Sequence, residues 1–359
     1  MEPPWALWER PLNAVASLLM LALTALLLSC SGSATRPQGA SDGVEWQPLP
    51  PADEFSVARA WSDLRALAGA EGSGGVRDQL RASLSAMGLA VEERATPLTL
   101  ESGEVEELVH LEVVLPGASS DRFVLLAPYG SPRAGSFGAH SAREDYSGAA
   151  LLLELTRAFS QRRSPYSIQV LFLEGEGRLR DAKGPRAAGT GSRLLAASMA
   201  ERGEFEGIRL LVAFDRVCGK DLRVARDLRS QRHHRERFWT VAGDLGYARI
   251  FPSERAFESV VAGHRPFAEL GLRPVLAIVD SSYVTRDESR DASEAPRDLL
   301  ARCMPECLEA VGAVSLASLL SIGEQLERID RFAAQPRATD DSLATAASPP
   351  APAEPELSR

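Results

Sequence analysis

Phe123–Ser131 reads F-V-L-L-A-P-Y-G-S, and Ile168–Gly177 reads I-Q-V-L-F-L-E-G-E-G. Both open on apolar residues and end on small and acidic ones. Arg122–Ala127 and Ser167–Leu173 therefore read as strands, the second apolar enough to be buried on both faces of a sheet. Between them Tyr146–Phe159 carries a helical pattern. Two buried strands joined through a helix predict a parallel pair, because a tight turn cannot connect parallel neighbours.

The same alternation extends outward in both directions. Phe55–Ala70 and Val76–Met87 read as amphipathic helices, the second stopped by Gly88. Leu108–Leu115 reads as a strand that Pro116-Gly117 turns into the next strand. Downstream come a helix at Ser192–Glu201, a strand at Ile208–Phe214 and a helix at Glu236–Leu245. A buried strand at Pro274–Val279 and a final helix at Pro305–Leu320 complete the pattern. The fold class is thus α/β: three layers, with a doubly wound, mostly parallel sheet and helices on both faces. Such sheets bind ligands at the carboxyl ends of their strands. Those ends are Ala127–Gly130, Glu174–Gly177, Asp215 and Asp280–Thr285, which converge on one edge.

Composition narrows the function classes. A net charge of −9 is the wrong sign for a general nucleic-acid binder, so no nucleic-acid partner is expected. Val15–Leu28 is an apolar run of signal-peptide length that ends in Leu27-Leu28-Ser29-Cys30. A Ser/Gly/Pro-rich tether, Ser31–Asp53, follows at once. Residues 1–30 accordingly resemble a lipoprotein signal with Cys30 as the lipidated residue, which places the folded part outside the cytoplasm at a membrane. An uncleaved N-terminal anchor is the alternative. The folded domain is expected over residues 54–332, and Ala333–Arg359 reads as a disordered Pro/Ala/acid-rich tail. Cys218, Cys303 and Cys307 remain. Without accompanying histidines they read as buried small apolar residues rather than as a zinc site.

In order and spacing, the motifs resemble the co-catalytic zinc aminopeptidases (metallopeptidase family twenty-eight), and more closely the glutaminyl-cyclase-like branch. Pro128-Tyr129-Gly130-Ser131 falls where that family has H-Y-D-S, and Asp145 with Leu152–Leu155 matches its Asp and L-L-E-L helix. Phe172–Gly177 matches F-F-D-G-E-E, and Gly191-Ser192-Arg193 matches G-S-R. Phe214-Asp215-Arg216-Val217 resembles L-D-M-V, and Ala262-Gly263-His264-Arg265-Pro266-Phe267 resembles D-D-H-x-P-F. Tyr283-Val284-Thr285 falls on W-H-T. The similarity runs from about Phe55 to Leu320, essentially the whole folded region.

The resemblance implies a zinc held by an Asp, a Glu and a His with one position open to substrate, and a neighbouring Glu that shuttles a proton. Mapped onto this chain, the ligand Asp is Asp145, the ligand Glu has become Gly177, and the ligand His has become Val284. The further ligand positions of the two-metal peptidases are Pro128 and Gly130, while the cyclase-type acidic pair is Ala262-Gly263. Glu176 remains at the acid/base position, with Asp215 as a second relic metal position. Tyr129, His264 and Tyr283 are expected in the cleft. One carboxylate cannot hold zinc, so no cofactor is expected unless a rearranged site exists. Several residues also have plain structural readings. Asp145 suits a helix cap, Glu176 a solvated loop, Asp215 a partner of Arg216 or Arg178, and His233-His234 a solvated charged face.

The sequence therefore predicts a catalytically impaired or inactive relative of zinc aminopeptidases and glutaminyl-peptide cyclotransferases. It would be exported, anchored through Cys30, and retain a cleft for peptide termini or a partner protein. One alternative is a working aminopeptidase or cyclotransferase whose zinc is held by His140, Asp145, Asp215 and Asp287. Another is a structural envelope lipoprotein without cleft function.

Overall fold

Six strands form one sheet in the order β1-β2-β4-β3-β5-β6 in the computed structural model of the chain. The structure describes residues 54–99, 103, 105–130, 146–176, 189–254, 257–281 and 300–335. The strands are β1 (Glu92–Thr99), β2 (Val105–Leu115), β3 (Ser119–Pro128), β4 (Tyr166–Leu173), β5 (Ile208–Asp215) and β6 (Val275–Val279). The helices are α1 (Val57–Gly69), α2 (Gly72–Ala86), α3 (Tyr146–Ser160), α4 (Thr190–Glu201), α5 (Arg232–Asp244), α6 (Arg265–Glu269) and α7 (Pro305–Ala333).

β3 pairs in parallel with β4 and β5, and β5 with β6, whereas β2 pairs antiparallel with both β1 and β4. Only β2 runs against the rest, so the sheet is mixed but mostly parallel. Two features were not legible in the sequence. β2 and β3 follow each other in sequence but are not neighbours, since β4 inserts between them. β1 had no sequence signal at all. It is an edge strand, E-E-R-A-T-P-L-T, whose outward charges and Pro97 guard an open edge and mask strand propensity.

Strand pleating sorts the core into two layers. Phe123, Leu125 and Ala127 of β3 face one side with Ile168, Val170, Phe172, Leu210, Val212 and Phe214, against α1, α2, α3, α5 and α7. Val124, Leu126, Leu171, Leu173, Leu211 and Ala213 face the other side, against Leu195, Ala196 and Met199 of α4 and Phe267 of α6. Helices on both faces confirm the expected three-layer architecture.

α7 runs on to Ala333, past the expected end at Leu320, with Ile322 and Gln325 still buried. It is long and apolar enough to cross a membrane, but 83% of its apolar window is buried inside the fold, which makes it a core helix. Cys218 and Cys303 form a disulfide with a Cα–Cα distance of 4.7 Å, which corrects the reading of them as unpaired small residues. Only the fold brings residues 85 apart to one place, and there Met304 N–H donates to the Cys218 carbonyl at 2.7 Å. Cys307 is buried and free.

Candidate functional site

The carboxyl ends of β3, β4, β5 and β6 lie at one edge of the sheet, as parallel pairing requires, and bring Gly130, Glu174, Glu176, Asp215 and Asp280 to that edge. Cys30, His140, Asp145, Gly177, Tyr283, Val284 and Asp287 lie outside the described residues. Pro128 closes β3, and the chain then stays bonded to β4, with Tyr129 N–H donating to the Leu173 carbonyl at 2.8 Å.

Tyr129 was expected in the cleft. Its side chain is instead wholly buried in the core layer beneath the sheet, with its hydroxyl donating to the Val109 carbonyl. Pleating explains the difference: Tyr129 continues the series Phe123, Leu125 and Ala127, which all point to the same helix layer.

Glu174, read in the sequence only as part of the strand-end motif, dominates the edge. It is buried, and its Oε2 accepts the Val109 N–H at 2.9 Å. Its own N–H donates to His110 Nδ1 at 3.2 Å. Burial drives the His110 imidazole down to about 4, with Arg94 adding to the effect, so that ring is neutral and can accept. The Glu174 side chain lies directly over Gly130, where a Cβ would fall 2.4 Å from the Glu174 Cγ. Position 130 is where the motif resemblance has an aspartate, and here Glu174 packs over a glycine. Gly191 serves the same packing, since a Cβ there would sit 1.9 Å from the Glu174 carbonyl oxygen.

Glu176 has a structural partner. Helix α4 begins after Gly189 with no side-chain cap of its own. Glu176 Oε1 accepts the Ser192 N–H at 2.5 Å, and Oε2 accepts the Ser192 hydroxyl at 3.1 Å. The carboxylate thus supplies the missing cap from a neighbouring strand end. Burial pushes Glu176 up to about 7 despite these bonds, and the nearby charge of Asp215 adds to the rise. The solvated-loop reading of Glu176 is corrected: both of its oxygens are in use.

Asp215 closes β5, with its Oδ1 3.9 Å from Arg216 Nε. His264 is also buried rather than open to a cleft. Its Nε2 is 3.2 Å from Asp227 Oδ2. Asp227 in turn accepts from the Ser230 N–H at 2.7 Å and the Val260 N–H at 3.1 Å. This cluster fastens the 257–264 segment to the sheet. His234, read as part of a solvated face, is buried as well, while His233 stays exposed and reaches Gln325 at 3.2 Å. A cavity of about 320 Å³ lies between β1 and α4, lined by Arg94, Thr96, Ser198 and Glu204 and by none of the expected site residues.

Among the described residues, no three of His, Cys, Asp or Glu come together as a metal-binding group. The carboxylates described at this edge have protein partners of their own. Glu176 is spent on Ser192, Glu174 on Val109, and Asp215 faces a guanidinium.

The fold is that of the zinc-dependent exopeptidases and glutaminyl cyclases. A glutaminyl cyclase from an Acidobacteriales bacterium superposes with a TM-score of 0.65 at 23% identity, covering 78% of this chain and 99% of that one. The Porphyromonas gingivalis glutaminyl cyclase gives 0.64 at 19% identity, over 74% and 98% of the two chains. A Zn-dependent exopeptidase from Parabacteroides distasonis also gives 0.64 at 19% identity, over 76% and 99%. No protein-family model and no curated protein sequence matches the chain. The motif resemblance read from the sequence therefore holds at the level of the fold.

Proposed function

We propose that this chain is a catalytically impaired or inactive relative of the glutaminyl cyclases and zinc aminopeptidases. It is exported and anchored through lipidated Cys30, and its strand-end cleft binds peptide termini or a partner protein. The observation that carries this reading is Glu174 packed over Gly130. Where the resemblance has an aspartate this chain has a glycine, and the space a side chain there would need is occupied by Glu174, itself bonded to Val109. Such a change is not reversed by a single substitution, unlike a ligand merely truncated. The use of both Glu176 oxygens as a helix cap supports it further, because it gives the surviving acid/base residue a structural reason to remain. Export is supported by the Cys218–Cys303 disulfide, which suits an oxidising compartment.

The test is to assay the purified full chain with added zinc on glutaminyl and aminoacyl reporter peptides, and in parallel to measure binding of fluorescent peptides. The reading expects no turnover together with saturable peptide binding. Turnover that disappears in Asp145→Ala would establish a working enzyme with a rearranged site. Absence of both turnover and binding would favour the structural envelope protein.

A further inference from the structure

We infer that the outer edge of β1 is a strand-addition site for an extended peptide carrying a basic side chain. Among the described residues β1 ends the sheet, with β2 on its inner side and no strand on its outer side. Hydrogen bonding on β2 shows which backbone groups of β1 are left over. Val109 spends its N–H on Glu174 and its carbonyl on the Tyr129 hydroxyl, both on the β4 side. In an antiparallel ladder alternate residues turn to opposite neighbours, so Leu108 and His110 face β1, where they lie opposite Thr96 and Arg94. The N–H and carbonyl groups of Glu93 and Ala95 therefore point outward, joined by the carbonyl of Pro97. Pro97, with no N–H to offer the ladder, falls in this outward set, as an edge proline should.

Beside this edge lies the cavity between β1 and α4. Glu92, Arg94 and Thr96, on the alternate face of β1, line it together with Ser198 and Arg202 of α4 and with Glu204. An edge strand next to a helix-walled cavity is the arrangement that strand addition uses: main-chain bonds hold the peptide, and its alternate side chains enter the pocket. Charge selects the side chain. Glu204 accepts from Arg94 at 2.9 Å and also from Arg202, which in turn donates to the Ser198 hydroxyl. Arg94 meets the buried carboxylate of Glu112 as well. Three carboxylates, those of Glu92, Glu112 and Glu204, thus face two guanidiniums. Among the described residues the Glu92 carboxylate and the Thr96 hydroxyl have no partner, so the groups left to meet a ligand are acceptors for an ammonium or guanidinium. A net charge of −9 repels a second copy of the chain from this edge and draws in a basic segment. A peptide held here is bound through its middle and not its ends, which sets this site apart from the strand-end cleft proposed above.

Fluorescence anisotropy on the full chain tests this, with a dye-labelled, C-terminally amidated peptide of alternating threonine and valine around a central lysine. Its blocked ends keep any site for peptide termini out of the measurement. The expected result is saturable binding, weakened about fivefold or more when glutamate replaces the lysine. Ala95→Pro removes one outward N–H while leaving the ladder to β2 in place, and is expected to weaken binding about tenfold or more. Glu92→Gln is expected to weaken the lysine peptide about threefold or more and to leave the glutamate peptide unchanged. Methylating the peptide's own backbone amides probes the same main-chain bonds on the native chain, and is expected to abolish binding. No saturable binding, equal binding of the lysine and glutamate peptides, or binding that survives amide methylation would overturn the assignment. Dimerisation of the free chain that is lost in Ala95→Pro would overturn it too, by giving the edge to a second copy.

Discussion

Gly130 and Glu174 behave as one unit. A side chain at position 130 meets the Glu174 Cγ at 2.4 Å and its Cα at 2.9 Å, so backbone as well as side chain must move to admit it. Gly130→Asp is expected to destabilise the protein by about 1–3 kcal/mol, the usual range for overpacking, without creating zinc affinity. Chemical denaturation and metal titration of that variant check both halves. Adding Glu174→Gly should recover part of the stability.

The buried histidines make a second residue-level prediction. Burial lowers His234 to about 4, with His233 adding to it, against an ordinary value of 6.5. Between these two pH values the unfolded chain binds the proton and the folded chain does not. Stability therefore falls as pH drops from about 6.5 to about 4, by at most roughly 3 kcal/mol per histidine. His110 acts in the same direction, whereas Glu176, raised to about 7, opposes it over an overlapping window. Comparing His234→Gln with the native chain isolates one contribution. The variant is expected to lose less stability on acidification, as followed by urea midpoints at several pH values.

At the scale of elements, the disulfide fixes the start of α7 to the chain leaving β5. Closing a loop over a sequence separation of 85 residues is worth up to about 4–5 kcal/mol by chain-entropy arguments. Cys218→Ser with Cys303→Ser should lower Tm by several degrees, and reducing agent should lower the native Tm to a similar extent without affecting the variant. Legibility differed sharply between elements. β3, β4, β5 and β6 announced themselves because strands covered on both faces are continuously apolar. β1 did not, because an edge strand is commonly charged against open-edge pairing, and α7 was cut short because its last turns are held by Asp330, which accepts from Tyr166 and Arg209, rather than by an apolar stripe. The Cys218–Cys303 pairing was hidden because the count of three could not choose partners.

For the molecule as a whole, the sheet edge that gathers the ligand positions was readable from strand order and motif spacing. The chemistry at that edge was only half readable. Gly130 and Pro128 at motif positions are visible in the sequence, but the packing of Glu174 and the cap made by Glu176 depend on contacts between distant segments. Tyr129 and His264 were misplaced because a motif position does not reveal which way a pleat points or which buried aspartate waits for a histidine. The proposed function holds that Glu174 and Glu176 are committed to internal hydrogen bonds and that the chain retains no zinc. The most direct test is the zinc content of the full chain after exposure to micromolar zinc and dialysis. The account predicts below about 0.1 equivalent per chain, with Tm unchanged by zinc or chelator. One equivalent retained through dialysis and lost on Asp145→Ala would contradict it.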